Sequence, residues 1–333
     1  MSVPSKFALF FFSFLAFSCQ AKNVDATAIE SRDALAWLQQ IQQSAKKLNY
    51  SGTFVYQQDN QVRTSRITHV HSGGNEQEKL EILDGKPREY IRNNDEIICY
   101  APDNKSIRIE KRVSQDVFPA ILGATPDELT SHYTLSKGES GRVAGHDCQS
   151  ILLKPKDSFR YGYKLWVEKS TGLLLRAQTL NEKNKVVEQI AFTQIGIGHI
   201  DASQVKPTFT NTSKWHVENA VMHEADLSAW QVIEMPSGFK RIREMKREIA
   251  DYTAGTNAAP TKREVSQIVY SDGLAAISVF IEPGSQSRTE GSMQQGAMNI
   301  IGKRQGDYWL TIVGEVPSAA IKQVANSVEF KPK

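Results

Sequence analysis

The feature that most constrains the fold of this chain is a long series of short segments in which apolar and polar residues alternate. The series runs from SGTFVYQQ at residues 51–58 to KVVEQIAFTQIGIG at residues 185–198, and Gly, Asn, Asp and Pro separate its members. A period of two is typical of strands that bury one face, and these separators are typical of antiparallel turns. The pattern therefore predicts a large, curved antiparallel sheet of roughly ten strands.

Helices are predicted at few places around this sheet. In ESRDALAWLQQIQQSAKKLNY, apolar residues recur every three or four positions, which predicts an amphipathic helix with Ser31 as its N-cap. A second helix is expected to begin at Pro126 behind a Thr125 cap. The apolar stripe of the first helix consists of Leu35, Leu38, Ile41, Ala45 and Leu48.

The strand pattern stops in DASQVKPTFTNTS, between Asp201 and about Ser213, and this lapse predicts a linker. Beyond it, several strand-like segments and a helix led by Ser318 predict a second, smaller α+β unit. Another helix is expected near Met293 to Met298. Two domains also suit a chain of 333 residues.

The first residues have the composition of a secretory signal peptide. Lys6 precedes an apolar run that is too short to span a bilayer, and small residues follow this run. We expect cleavage after Ser18, with Ala21 as a later alternative. Lipid attachment at Cys19 is a minor alternative. The mature chain is therefore expected to be exported.

Export decides how the cysteines are interpreted, because paired cysteines outside the cytosol tend to be oxidised. The chain has three cysteines, and Cys19 lies in the cleavage zone. Cys99 and Cys148 are then the only pair that the mature chain can form. We predict a disulfide between them.

The stretch AGHDCQS contains His146, Asp147 and Cys148, which are residue types of nucleophilic catalysis and of metal binding. The sequence has no P-loop, H-E-x-x-H or G-x-S-x-G motif to support either chemistry. His69 and His71 form an H-x-H pair without further ligands at a known spacing, so we expect exposed strand histidines. We predict no catalytic residue, no metal and no cofactor.

The charge of the chain argues against nucleic acid as a partner. It has 40 basic and 37 acidic residues, which gives a net charge of +3 and a mixed surface. A nucleic-acid binder would concentrate basic residues on one face.

An aromatic face is the best candidate for a binding site. Tyr161, Tyr163 and Leu165 alternate on one side of a predicted strand, and Phe54 and Tyr56 do so in an earlier one. Binding sites are concave and mostly apolar, so a curved sheet with this face is expected to enclose an acyl chain or an apolar peptide. The alternative is that the same residues are plain core beneath the first helix.

Six blocks of the chain resemble the MucB/RseB family, and together they extend over nearly the whole mature chain. They are LNYSGTFVY (48–56), DGKPREYIR (84–92), AGHDCQ (144–149), RYGYKLWVEKSTGLLLRAQTL (160–180), YSDGLAAISVFIEP (270–283) and TIVGEVPS (311–318).

The resemblance implies a periplasmic negative regulator of the envelope-stress sigma factor sigma-E, which is AlgU in some bacteria. Such a regulator binds the periplasmic domain of a single-span anti-sigma factor, RseA or MucA, and protects it from the site-1 protease. Lipopolysaccharide or lipoprotein acyl chains are expected to release it. A homodimer is left open. The alternative function is a periplasmic lipid or lipoprotein carrier without anti-sigma binding, although a carrier would not need the second domain.

The fold that the resemblance implies is α+β. A LolA/LolB-like half-barrel with covering helices is expected over residues 24–200, behind the signal peptide at 1–18. The linker at 201–214 and a smaller C-terminal α+β domain at 215–333 complete the expected organisation.

Overall fold

The computed structural model of this chain describes residues 26–111, 118, 126–220, 222–251, 261–284 and 288–331. The predicted signal peptide, Cys19 and the Thr125 cap lie outside these residues. Within the described part of the chain, no helix is both long enough and apolar enough to cross a membrane.

A twelve-stranded sheet forms the larger domain. Its strands are β1 (Tyr50–Gln58), β2 (Gln61–Ser72), β3 (Asn75–Ile82), β4 (Arg88–Asn93), β5 (Glu96–Ala101), β6 (Ser106–Lys111), β7 (Tyr133–Val143), β8 (His146–Pro155), β9 (Gly162–Glu168), β10 (Leu174–Leu180), β11 (Val186–Ile197) and β12 (His216–Ala220). Across the sheet their order is β12-β6-β5-β4-β3-β2-β1-β11-β10-β9-β8-β7, and every pair is antiparallel except β12 with β6. The predicted large antiparallel sheet is confirmed.

Among the described residues, three helices accompany this sheet, namely α1 (Ala26–Lys47), α2 (Pro126–His132) and a short 3-10 helix (Ala202–Val205). α1 begins before Ser31, so that residue lies inside the helix and not at its cap. The predicted stripe is confirmed, because Leu38 and Ile41 are 0% exposed and Ala45 is 2% exposed in the core. Burying such a stripe is the main source of helix stability.

β9 and β10 form a hairpin. Its turn contains Gly172 at a φ of +76°, a left-handed conformation that glycine adopts without strain. The carboxylate of Glu168 accepts hydrogen bonds from the backbone N–H groups of Ser170 and Thr171 at 3.1 and 2.7 Å. Ser44 of α1 donates to the carbonyl of Thr171 at 2.5 Å, which attaches the helix to this turn.

In the part of the smaller domain that the structure describes, there are a seven-stranded sheet, a two-stranded sheet and one helix. Its elements are β13 (Met222–Glu224), β14 (Trp230–Val232), β15 (Lys240–Asp251), β16 (Thr261–Ser271), β17 (Ala276–Pro283), β18 (Gly291–Gln295), β19 (Met298–Gln305), β20 (Tyr308–Gly314), α3 (Ser318–Ser327) and β21 (Val328–Phe330). The order is β13-β15-β16-β17-β20-β19-β18 in the larger of these sheets, and β14 pairs with β21. The predicted α+β class and the helix led by Ser318 are confirmed.

The helix predicted near Met293 to Met298 is wrong. This stretch is the end of β18, a tight turn and the start of β19. Gly296 has a φ of +55° and makes the turn, so the residues on either side pair as a hairpin instead of continuing as a helix.

The predicted linker is held against the larger sheet. The backbone N–H of Thr208 donates to Glu89 Oε1 at 2.9 Å, and Lys79 Nζ donates to Thr208 Oγ1 at 2.6 Å. Lys79 and Glu89 also form an ion pair at 3.1 Å, with side chains only 8% and 4% exposed. We call these three residues the linker clamp.

Residues 216–220, which follow the linker and which we expected in the second domain, belong to the larger sheet. His216–Ala220 form β12, which pairs in parallel with β6. Phe209 and Trp215 pack on Tyr100, with ring centroids 6.3 and 6.4 Å from it. A boundary at residue 215 is therefore too early, because aromatic contacts and a strand ladder continue past it.

The predicted disulfide is wrong, since Cys99 and Cys148 are both free. Cys99 lies in β5 and Cys148 in β8, and seven strands separate these two in the sheet. A disulfide needs Cα atoms within about 7 Å, whereas one strand spacing alone is about 4.8 Å. The number of cysteines indicated one pair, but the sheet order keeps its members apart.

We expect both thiols to be unreactive in the native protein, Cys148 more so. Burial raises the pKa of the Cys148 thiol to about 11 and also raises that of Cys99. The thiolate is the reactive form, so alkylation of unreduced protein at neutral pH should modify Cys99 slowly and Cys148 only after unfolding. Peptide mass mapping distinguishes the two sites. A cross-linked peptide containing both residues would contradict this expectation.

Candidate functional site at the domain seam

The AGHDCQS stretch is a turn and the start of a buried strand. Ala144 and Gly145 have φ values of +49° and +86° and make the turn between β7 and β8. Cys148 is 0% exposed, and its Sγ lies 3.5 Å from the carbonyl oxygen of His146. The imidazole of His146 approaches Ile195 O at 3.4 Å instead of the thiol. In this arrangement His146 is not placed as a base for the Cys148 thiol.

The H-x-H pair differs from our expectation, because His69 is buried. Its side chain is 0% exposed, stacks on Tyr50 at a centroid distance of 4.9 Å, and donates Nδ1–H to Leu48 O at 2.8 Å. Leu48, which follows α1, and Tyr50, the first residue of β1, contact this side chain, whereas His71 is half-buried. Among the described residues, no group of three His, Cys, Asp or Glu side chains could hold a metal ion.

The strand register brings the predicted aromatic face together. Tyr56 in β1 lies opposite Ile190, Ile190 opposite Ala177, and Ala177 opposite Leu165. Residues directly opposite each other in a sheet point to the same side, so Tyr56 and Leu165 share one face across four strands. Phe54 belongs to the same face, two residues before Tyr56.

Most of this face is filled by other side chains of the chain. Leu165 is 0% exposed and Phe54 is 7% exposed, in one cluster with the stripe of α1. The ring of Phe118 lies 5.6 Å from that of Phe54 and 5.1 Å from that of Phe192. Tyr163 is half-buried beside Tyr133, at a centroid distance of 6.2 Å.

One end of the face meets the second domain, and we call this junction the domain seam. The hydroxyl of Tyr161 accepts a hydrogen bond from Asn299 Nδ2 at 3.2 Å, and Asn299 also donates to Val316 O at 2.8 Å. Gln58 Nε2, at the end of β1, donates to Gln295 O at 2.9 Å. The seam therefore connects the end of β1 and the residue that precedes β9 to the β18–β19 hairpin.

A buried ion pair lies at the centre of the domain seam. Arg160 Nη1 and Asp272 Oδ2 are 3.1 Å apart, and both side chains are 0% exposed. The guanidinium also lies over the ring of Phe239 at 5.1 Å and forms an ion pair with Asp157 at 3.2 Å. A second Arg160 nitrogen donates to the carbonyl of Ser237. Charges removed from water need such partners on every side.

Asp272 has a second role within its own turn. Its Oδ1 accepts hydrogen bonds from the backbone N–H groups of Leu274 and Ala275 at 3.0 and 2.8 Å. Its Oδ2 accepts from the Tyr133 hydroxyl at 3.3 Å and faces Arg160. One carboxylate thus shapes the β16–β17 turn and attaches it to the larger domain.

Sequence reasoning missed this pair. Neither Arg160 nor Asp272 is among the residues that the sequence predicts for a site. Both residues belong to largely apolar segments, RYGYKLW and YSDGLAAISVF. A charged residue within such a segment was the signal that could have indicated a buried charge. No local pattern indicates that the two blocks meet.

The domain seam also contains a carboxylic acid, Glu188, whose pKa is raised. The Oε2 atom of Glu188 in β11 is buried without a hydrogen-bond partner among the described residues. Burial, together with the negative charge of Glu315 in the second domain, raises the pKa of Glu188 to about 7. Glu188 is therefore expected to change its protonation near neutral pH.

We expect this titration to make the stability of the protein depend on pH. Because the folded pKa of Glu188 is raised, its contribution is complete below its unfolded pKa, about 4.5, and is lost as the pH rises through about 7. The wild-type free energy of unfolding should therefore fall between about pH 5 and about pH 8, relative to Glu188→Gln. Urea unfolding of both proteins across this range measures the difference. Parallel pH profiles would contradict the assignment.

Comparison with known proteins agrees with this two-domain arrangement. Residues 33–209 match the model of the MucB/RseB N-terminal domain, and residues 224–329 match that of the MucB/RseB C-terminal domain.

Similar proteins match over nearly their whole length. The sigma factor AlgU regulatory protein MucB of Pseudomonas aeruginosa is 29% identical over 308 residues, which cover 90% of this chain and 92% of that protein. The sigma-E factor regulatory protein RseB of Haemophilus influenzae is 26% identical over 338 residues, 99% of each chain. A crystal structure of MucB in complex with MucA(peri) superposes with a TM-score of 0.68 at 28% identity, over 90% of this chain and 100% of that one. This chain therefore belongs to the MucB/RseB family.

Proposed function

We propose that this chain is a periplasmic negative regulator of a sigma-E-type envelope-stress sigma factor, and that it binds the periplasmic domain of a single-span anti-sigma factor. The observation that carries the proposal is the similarity of both domains to MucB in its complex with MucA(peri). The buried ion pair of the domain seam supports it, because a fixed arrangement of two domains offers a partner one continuous surface. We propose no catalytic step.

The consequence of binding, in this proposal, is protection of the anti-sigma factor from the site-1 protease. A bound regulator that covers the cleavage site lowers the fraction of anti-sigma factor that the protease can reach. Cleavage would then begin only after the regulator dissociates.

The releasing ligand, in this proposal, is an acyl chain of lipopolysaccharide or of a lipoprotein. The aromatic face supports this choice, since Phe54, Tyr56, Tyr161, Tyr163 and Leu165 give one apolar surface. The stripe of α1 and Phe118 now cover much of it, so an acyl chain would have to replace those contacts. A ligand that binds the free regulator more tightly must weaken the complex by the same factor, commonly about 5- to 150-fold.

Calorimetry with the periplasmic segment of the anti-sigma factor tests the central proposal. We expect saturable one-to-one binding by the mature protein and slower cleavage of the bound segment by the site-1 protease. If no binding is detected at protein concentrations of about tens of micromolar, the central proposal is contradicted. Lipid binding without anti-sigma binding would instead favour the carrier function.

A competition experiment tests the releasing ligand separately. Acylated lipid A should displace the segment, whereas its deacylated form should not. Tyr56→Ala should weaken displacement, and Val62→Ala serves as a matched control because Val62 is 56% exposed in the neighbouring strand. Equal displacement by both lipid forms would overturn this part of the proposal and leave anti-sigma binding intact.

A further inference from the structure

A cavity of about 480 Å³ lies in the larger domain, apart from the domain seam. It is bounded by the C-terminal end of α1, the β2–β3 turn and the β4–β5 turn. Four basic side chains line it, namely Lys46, Lys47, His71 and Arg92. They come from three different elements, and neither the family resemblance nor the proposed function accounts for their convergence.

Hydrogen bonds between the two turns hold the walls of this cavity. The backbone N–H of Glu76 donates to Asn94 Oδ1 at 3.0 Å, and the backbone N–H of Asn94 donates to Glu76 O at 2.9 Å. Arg92 donates Nε–H to Asn94 O at 2.8 Å, which orients its guanidinium at the cavity. The backbone N–H of His71 donates to Asn49 Oδ1 at 2.8 Å. A prearranged site loses less conformational entropy when a ligand binds.

The balance of charge at the cavity is positive. Lys46, Lys47 and Arg92 are opposed by the carboxylates of Glu76 and Asp95. Glu76 also interacts with the buried His69, with Oε1 3.4 Å from His69 Nε2. Asp95 is exposed, so solvent screens its charge.

Favourable interaction with the helix dipole explains only part of this arrangement. Lysines in the last turn of a helix are stabilised there, which accounts for Lys46 and Lys47. It does not account for Arg92 and His71, which stand on β4 and β2 and line the same cavity. An anion bound between the three elements would stabilise all of these side chains together.

We propose that this cavity binds the phosphoryl group of a phosphate monoester. A compact, doubly charged oxyanion can contact donors that approach from three directions, and Arg and Lys are the side chains that recognise it. The volume also lies within the range of small-ligand sites, so it accommodates the phosphoryl group and an adjoining polar moiety. Turns bound the cavity on two sides, which suits a compact anion better than an extended acidic peptide.

Titration of the isotope-labelled mature protein, followed by amide NMR shifts, tests this proposal. The probes are inorganic phosphate, glycerol 3-phosphate, and phosphatidylcholine vesicles with and without phosphatidic acid. We expect saturable shifts at Lys47, His71, Gly74 and Asn94. Binding of the soluble probes supports a free phosphate ligand, and binding of the phosphatidic acid vesicles alone supports a lipid headgroup.

Two variants and one control localise the effect. Arg92→Gln and Lys47→Gln should each weaken binding about five- to tenfold, since each removes a charge-assisted hydrogen bond. Lys47 is exposed, so its variant is expected to fold even if the Arg92 variant does not. Lys183→Gln, at an exposed turn between β10 and β11, should leave the affinity unchanged.

Three results would overturn the proposal. The first is the absence of saturable shifts with every phosphate probe. The second is an equal loss of affinity in Lys183→Gln and in the two cavity variants. The third is binding of a poly-glutamate peptide at the cavity while the phosphate probes do not bind. None of these results bears on anti-sigma binding, which is measured independently.

Discussion

Replacing Asp272 with asparagine is expected to lower the free energy of unfolding by about 3 kcal/mol, because it leaves Arg160 buried without its main counter-charge. Breaking a buried ion pair commonly costs about 3–5 kcal/mol, and the lower end applies because Asp157 still faces the guanidinium at 3.2 Å. Asparagine retains a side-chain oxygen for the turn hydrogen bonds to Leu274 and Ala275. The loss therefore reports on the charge and not on the turn. Urea unfolding measures it.

The domain seam offers a matched control for this experiment. Lys240 and Glu128 also form an ion pair between the domains, at 2.8 Å, but their side chains are 71% and 49% exposed. Lys240→Gln should therefore cost less than about 1 kcal/mol, since solvent screens exposed pairs. Adding Arg160→Met to Asp272→Asn should recover part of the loss, because no buried guanidinium remains. Equal effects of Asp272→Asn and Lys240→Gln would contradict the assignment.

Replacing Lys79 with methionine is the other change with a large expected effect. Glu89, 4% exposed, would then be buried without a cation, at a cost of about 3 kcal/mol. The hydrogen bond that Glu89 accepts from the Thr208 backbone would then also weaken. We therefore expect the linker to detach from the sheet and become accessible to proteases. Urea unfolding and limited proteolysis within residues 201–214 measure the two consequences.

Lys86→Met is the control for the linker clamp. Lys86 also forms an ion pair, with Asp103 at 3.7 Å, but its side chain is 77% exposed. Its loss should change neither the stability nor the proteolysis pattern appreciably. If Lys79→Met gave the same proteolysis pattern as the wild type, the linker clamp would not be what holds the linker.

Features that depend on neighbouring residues could be predicted from the sequence. The stripe of Leu38, Ile41 and Ala45 follows from helical periodicity, and the β9–β10 hairpin follows from alternation around Gly172. The helix that begins at Ser318 follows from the preceding proline and the apolar spacing. In each case one short segment contains the whole signal.

Features that depend on distant segments could not be predicted in this way. Cys99 and Cys148 are the only candidate pair by count, but only the strand order shows that they lie far apart. Arg160 and Asp272 are 112 residues apart, and their contact depends on how two separate sheets pack. The contacts that bury His69 come from Leu48 and Tyr50 outside β2, and no alternation within β2 indicates them.

The aromatic face was predicted in part. Alternation placed Phe54 with Tyr56, and Tyr163 with Leu165, and the register of four strands then joined these pairs. The sequence did not predict which residues of the aromatic face are covered, because Phe118, which packs on Phe54, lies outside the alternating strand segments.

The position of β12 limits how the two domains can move. The strand ends at Ala220 within the larger sheet, and β13 of the smaller domain begins at Met222. Because Ala220 and Met222 are only two positions apart in the chain, their Cα atoms can be at most about 7 Å apart, so loss of the seam contacts cannot separate the domains. Opening is restricted to rotation about this junction. The high effective concentration of each domain near the other then favours re-formation of the seam contacts once they are broken.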